Sequence, residues 1–193
     1  MTAQLAYTAL LLRSVRMPAA GAFASKLNEQ IANEFAAHQQ YVACAVYYEA
    51  ETLPQLAGFF YRQALEERSH AMMMIQYLLD TGTEVITPGV TAPRTTFADV
   101  VEPVVLALEQ ERAVSEQINA LAATAREESN FAAEQFVQWF IAEQIEEVAT
   151  MSDLLTVADR SRDRVAEIED FVAREHPGVD GPEASAPRQA GGP

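Results

Sequence analysis

Only one cysteine, Cys44, occurs in the 193 residues, so the chain forms no internal disulfide and carries no paired-thiol metal or redox module. Positive charge is also scarce. Thirteen Lys and Arg stand against 28 Asp and Glu, a formal net charge of −15, which argues against nucleic acid or an anionic membrane as partner. Long apolar runs are missing as well: hydrophobic residues make up 49%, yet they are spread in stripes, and none is long enough to span a bilayer. No segment shows the two-residue alternation of a strand. These absences point to a reducing, cytoplasmic setting and to a water-facing chain built from helices.

The stripes recur in alternating steps of three and four, which puts each on one helix face. The first reads Leu27, Ile31, Glu34, His38, Tyr41, Ala45, Tyr48, and the second Leu56, Phe60, Gln63, Glu67, His70, Met74, Tyr77. The third runs Val104, Ala107, Glu111, Val114, Ile118, Leu121, and the fourth Val137, Phe140, Gln144, Glu147, Met151, Leu154, Ala158. Every apolar seam is thus interrupted by a carboxylate. A buried carboxylate is costly and takes up a proton unless a cation balances it. Four of them converging with an imidazole predict a metal site.

Helices are expected from about Ser25, as N-cap, to Ala50; from Pro54 to Asp80; from an Asp99 cap to Glu127; from the Ser129-Asn130 break to Ala158 or Arg160; and from Arg162 to Arg174. Pro54 fits the first turn of its helix, where a missing N–H does no harm. The stretch from Gly82 to Phe97 holds two Gly and two Pro. It is too long for a hairpin loop and reads as a crossover along the bundle. The expected fold is therefore all-α: a four-helix bundle with one long crossover and a short fifth helix over 24–175. Residues 1–23 are expected to be a poorly ordered extension with no transport role, with Met17 as an alternative start. A presequence reading stays open because no acidic residue precedes Glu29. The Gly-, Pro- and Ala-rich residues 176–193 are expected to be disordered.

Glu67 and His70 lie at i, i+3 spacing, which brings both side chains to one ion. The pair alone is a weak signal, and the carboxylates on three other helices strengthen it. Oxygen and imidazole donors without thiolate suit iron or manganese better than zinc or copper. Glu67 is the natural bridge between two ions, with Glu34 and His70 on one side and Glu111 and Glu147 on the other. Gln144, neutral and one turn before Glu147, makes the second side the weaker, as suits a metal that must leave. Glu66, Glu143 and Glu146 lie one residue off the seams, a turn of roughly 100°. They form either a solvated acidic face or an accessory metal site. Tyr41 either packs in the core or serves the metals, by a hydrogen bond to Glu34 or as an electron donor. His38 reads as a hydrogen-bonded histidine at the edge of the core, His176 as an exposed one, and Cys44 as a small buried hydrophobe.

Asn33-Glu34-Phe35 with Tyr41, Glu66-Glu67-Arg68-Ser69-His70-Ala71, Glu109-Gln110-Glu111-Arg112 and Gln138-Trp139-Phe140 through Glu143-Gln144-Ile145-Glu146-Glu147 together resemble the non-haem bacterial ferritins. The resemblance covers roughly Ala24 to Arg174. It implies a ferritin-like fold and a dinuclear ferroxidase centre of Glu34, Glu67, His70, Glu111 and Glu147, with Gln144 near the second iron. It also implies a third-iron region at Glu66, Glu143 and Glu146, and a homo-oligomeric cage of twenty-four subunits around a ferric mineral core. Arg68 stands where bacterioferritins place a haem-ligating methionine, so no haem is expected. In some relatives the tail directs loading into a larger protein compartment, and that role is open for residues 176–193. Iron storage with Fe(II) oxidation by oxygen or peroxide is the leading function. The rivals are a di-iron or di-manganese oxidase or peroxidase acting on another substrate, and a structural bundle with protonated acids.

Overall fold

The computed structural model describes residues 21–178 and 185–191. Residues 1–20 of the extension expected over 1–23, with its alternative start, and tail residues 179–184 and 192–193 lie outside the described residues, while Ala22 and Phe23 already belong to the first helix. Five helices follow in order: α1 (Ala22–Ala50), α2 (Pro54–Asp80), α3 (Glu102–Glu127), α4 (Phe131–Arg160) and α5 (Val165–Glu175). No strand occurs among the described residues. Helices α1 and α2 pair as one long hairpin and α3 and α4 as another, with α1 also against α3. The short α5 closes one end against α2 and α4.

Helix α1 starts at Ala22, not at a Ser25 cap. Ser25 N already donates to Gly21 O, 3.1 Å away, and the carboxylate of Glu128, from the end of α3, accepts from Phe23 N at 3.3 Å. A tertiary partner thus replaces the local cap. Asp99 does serve α3, its Oδ1 accepting from Val101 N and Glu102 N at 2.9 and 3.1 Å. Asn130 caps α4 through Ala133 N. Helix α5 starts at Val165 rather than Arg162 because residues 161–163 form a turn. From α5, the Glu169 carboxylate accepts from Gln55 N and Leu56 N at 3.0 and 2.8 Å. Those are orphan donors at the start of α2, where a negative charge is favoured.

Each long helix that reverses ends on a left-handed residue: Thr52 (φ 62°), Gly82 (φ 66°) and Ser129 (φ 54°). The next amide reaches back to close the last turn, Leu53 N to Tyr48 O, Thr83 N to Leu78 O and Asn130 N to Ala125 O, at 2.8–2.9 Å. This is the hydrogen-bond pattern of a Schellman ending. Two buried amides fasten the irregular crossover to α1. Asn28 donates to Glu84 O at 3.0 Å and accepts from Ile86 N at 2.8 Å. Gln40 donates to Arg94 O at 2.9 Å and accepts from Arg94 N at 2.8 Å.

The core divides into two apolar clusters. One holds Tyr41, Tyr48, Phe60, Met151 and Leu154 and is sealed by Ile168 and Val172 of α5. The other holds Leu27, Ile31, Met74, Leu78, Ile118 and Phe140. Between them, on every long helix, comes a buried polar level: Glu34 on α1, Glu67 and His70 on α2, Glu111 on α3, Gln144 and Glu147 on α4. Cys44 lies fully buried in the first cluster.

The tail differs from the expectation of disorder over residues 185–191. Ala190 N donates to Met72 O at 3.0 Å, and Ala186 packs against the second cluster. His176 is half-buried rather than exposed. Its ring meets Phe59 and Phe171 at 5.2 and 6.0 Å, and Arg62 donates to its carbonyl at 2.7 Å.

Removing the Gln40 amide leaves both backbone groups of Arg94 unpaired, so Gln40→Ala should destabilise by about 1–3 kcal/mol, read as a lower denaturation midpoint. Thr52→Gly should act oppositely. A β-branched residue in the left-handed region is strained, and the glycine variant should gain about 1 kcal/mol, measured in the same titration.

Candidate metal centre

Each ligand candidate on a seam (Glu34, Glu67, His70, Glu111, Gln144 and Glu147) stands one or two turns from an apolar seam residue, so packing the seams carries these side chains inward whether or not they prefer it. Glu111 is 0% exposed, Glu34 1%, Glu67 2% and His70 3%. Glu34, Glu67 and His70 each offer one donor atom, and these atoms lie within 4.8 Å of one another. His70 Nδ1 stands 3.5 Å from Glu67 Oε2 and 3.9 Å from Glu34 Oε2. Glu34 Oε2, Glu67 Oε2, Glu147 Oε2 and the amide oxygen Oε1 of Gln63 are buried without any hydrogen-bond donor. Buried acceptors are ordinarily paired, so the orphaned oxygens of Glu34 and Glu67, clustered with His70, describe a place for a cation.

The other carboxylates are held differently. Glu111 accepts from the Tyr41 hydroxyl through Oε1 and from Gln144 Nε2 through Oε2 at 3.0 Å. Tyr41 therefore serves Glu111, not Glu34. Glu147 accepts a long bond, 3.5 Å, from Gln63 Nε2, which also donates to Glu66 Oε2 at 2.7 Å. Glu66, His70 and Glu143 form a second set with donor atoms within 4.8 Å, while Glu146 is exposed and stands outside it. His70 faces both sets, its ring edge-on to Trp139 and Phe140 at 5.6 and 5.7 Å. His38 Nδ1 sits 2.6 Å from Ala64 O, tying α1 to α2.

The family model described as the ferritin-like domain matches residues 24–161. The chain belongs to the ferritin family. It is 55% identical over 172 residues to ferritin BfrB of Mycobacterium tuberculosis, covering 88% of this chain and 93% of that protein. It is 36% identical over 124 residues to the bacterial non-heme ferritin of Staphylococcus epidermidis, covering 64% and 75%. In fold it is similar to the open-pore ferritin of the hyperthermophilic archaeon Archaeoglobus fulgidus. That match has a TM-score of 0.77 at 24% identity and spans 82% of this chain and 99% of the other.

In this ferritin chain burial favours the protonated form of three of these carboxyls, Glu67, Glu111 and Glu147. Burial first, then the charges of Glu111 and Glu34, pushes the Glu67 carboxyl well above the ordinary range. Burial, then the charges of Glu66, Glu111 and Glu143, does the same to Glu147. Glu111 is pushed up to about 7, chiefly by burial, with the Tyr41 hydrogen bond acting against the rise. Burial and the Glu111 and Glu67 charges push the Tyr41 phenol upward too, so it stays a neutral donor.

Two residues at the centre have no role predicted from the sequence. Gln63 sits on the α2 seam one turn before Glu67, and Gln30 precedes Glu34 by one turn, donating Nε2 to its Oε1 at 2.8 Å. An amide at i−4 from a buried carboxylate was the available signal, since that spacing puts both on one face.

The proton loading sets a pH dependence. Glu67, Glu111 and Glu147 have raised folded-state pKa values, so the folded chain holds more protons than the unfolded one from about pH 4.5 through about 7 and above. Stability falls with pH where the folded state binds more protons. Metal-free protein should therefore melt at progressively lower temperature from pH 5 to pH 8. A bound divalent cation replaces those protons, so adding Mn(II) should remove most of the decline, seen by calorimetry with and without metal.

Proposed function

We propose that this ferritin stores iron as a ferroxidase subunit, oxidising Fe(II) at the centre between its two apolar clusters and passing Fe(III) to a mineral enclosed by copies of the chain. The observation that carries this reading is the pair of buried, unpaired oxygens of Glu34 and Glu67 beside His70, with a further unpaired carboxylate oxygen on Glu147. Glu34, Glu67 and His70 take the first Fe(II), and Glu67 bridges to a second held by Glu111 and Glu147 with Gln144 beside it. Fe(II) arriving displaces the protons held by Glu67, Glu111 and Glu147. Each iron gives one electron, and dioxygen takes two electrons and two protons to leave as hydrogen peroxide; peroxide serves as oxidant in the same way. Hard anionic oxygens favour Fe(III) over Fe(II), which draws the electrons off.

Glu111 is the least available ligand, because Tyr41 and Gln144 occupy both its oxygens. The second iron must compete with those donors and is the weaker-bound of the two. Its way out runs past Gln63 to Glu66 and Glu143, with Glu146 on the exposed side, toward the mineral. Glu66, Glu143 and Glu146 serve there as transit ligands. Exposed apolar side chains, among them Leu65, Ile86, Phe131 and Ile145, leave surface for self-association, and we read the assembly as a twenty-four-subunit cage in the cytoplasm. No described helix is long and apolar enough to cross a membrane. The tail serves either the cage itself or loading into a larger compartment.

A di-iron or di-manganese oxidase of organic substrates needs an open pocket at the metals. The seams beside the ligands are instead filled by buried Phe60, Phe140 and Leu154, which favours the storage reading.

Adding Fe(II) to metal-free protein should give rapid oxygen consumption at a fixed iron-to-subunit ratio. Glu67→Ala, which removes the bridge, should slow that phase by at least 100-fold, on the scale of losing a metal ligand or its support. Equal oxygen uptake in the two proteins, no faster than iron in buffer, would falsify the ferroxidase reading.

A further inference from the structure

We propose that Gln30 is a positioning residue that restricts Glu34 to a single oxygen toward the first metal. The inference rests on the reading of Glu34, Glu67 and His70 as that metal's ligands. Gln30 is 2% exposed, so its amide has no water to turn to and must be satisfied by protein. Its Nε2 donates to Glu34 Oε1 at 2.8 Å. Its Oε1 accepts from Asn33 Nδ2 at 3.1 Å, and the same Asn33 nitrogen donates to Gln117 Oε1 of α3 at 3.1 Å. Both hydrogens of that nitrogen are spent on carbonyl oxygens. Turning the Gln30 amide over would set donor against donor at Asn33 and oxygen against oxygen at Glu34. One orientation satisfies every group, and it points a donor at Glu34.

The effect falls unequally on the two carboxylate oxygens. Oε1 is committed to the amide, while Oε2 has no donor and stands on the His70 side, 3.9 Å from Nδ1. The carboxylate plane is fixed before any ion arrives, so no reorganisation is needed on binding. A single-oxygen ligand also leaves one more position open on the ion than a chelating carboxylate would, and a metal that must meet dioxygen needs an open position. The line Gln117–Asn33–Gln30–Glu34 further ties this geometry to α3, on the opposite hairpin. Partners of this kind commonly govern metal affinity by one to two orders of magnitude.

The test uses assembled full-length protein and Co(II), whose visible absorption weakens as its coordination number rises. Gln30→Leu keeps the side chain's size and removes the donor. Freed from the amide, Glu34 should offer both oxygens, so the Co(II) band should lose intensity and shift, and the first-step Co(II) affinity should fall on the order of tenfold. Asn33→Leu, which unlocks the amide from a half-buried position, should produce the same change in weaker form and serves if the Gln30 variant does not assemble. A Co(II) spectrum and first-step affinity equal to wild type in these variants overturn the assignment, whatever happens to melting temperature. Wild-type protein that binds no Co(II), or binds it equally well as Glu67→Ala, would instead remove the underlying reading of the ligands.

Discussion

A layer of carboxylates that water cannot reach is the constraint on which this structure depends. Four long helices each carry an ionisable or amide side chain into the same level of the bundle, with apolar packing above and below. The two clusters fix the helices, and the helices hold the acids where none can escape to solvent. Charge in that level must be cancelled by protons or by cations, and these exclude each other at the same oxygens. In the proposed ferroxidase centre, uptake of metal and release of protons would therefore be one event. Clusters of packed side chains on both sides give the level its rigidity, so the ligands are placed by the core and not by the ion.

Within the level, donors are distributed unevenly. Both oxygens of Glu111 are engaged by neighbours, one oxygen of Glu34 is, and Glu67 has an oxygen with nothing but its companions. Three amides, Gln30, Gln63 and Gln144, do this work together with one phenol. Neutral donors suit the task because they orient a carboxylate without cancelling the charge that attracts a cation. The result is an asymmetric pair of positions built from nearly identical side chains.

The sequence made the layer legible because a ligand interrupting a three-four stripe is conspicuous, and the positions of Glu34, Glu67, His70, Glu111 and Glu147 on inward faces followed from spacing alone. The crossover and helix ends were legible for similar local reasons, Pro54, Gly82 and Asp99 among them. Pairings between helices were not. Tyr41 shares a stripe with Glu34, so the sequence favoured that partner; the bond goes to Glu111 because the offset between α1 and α3 decides which side chains meet. Nor does the sequence say that Glu128 would close the start of α1, or that residues 185–191 would lie along α2. Each of those depends on tertiary register.

The two hairpins share the centre unequally. Glu34, Glu67 and His70 all belong to α1 and α2, whereas Glu111, Gln144 and Glu147 arrive with α3 and α4. The half of the chain that leaves the ribosome first thus owns a whole set of donors, and the half that follows contributes Glu111 and Glu147, which neighbouring donors already engage. Under the proposed ligand assignment, the first metal position is encoded within one contiguous hairpin, and the second is completed only when α3 and α4 pack against it.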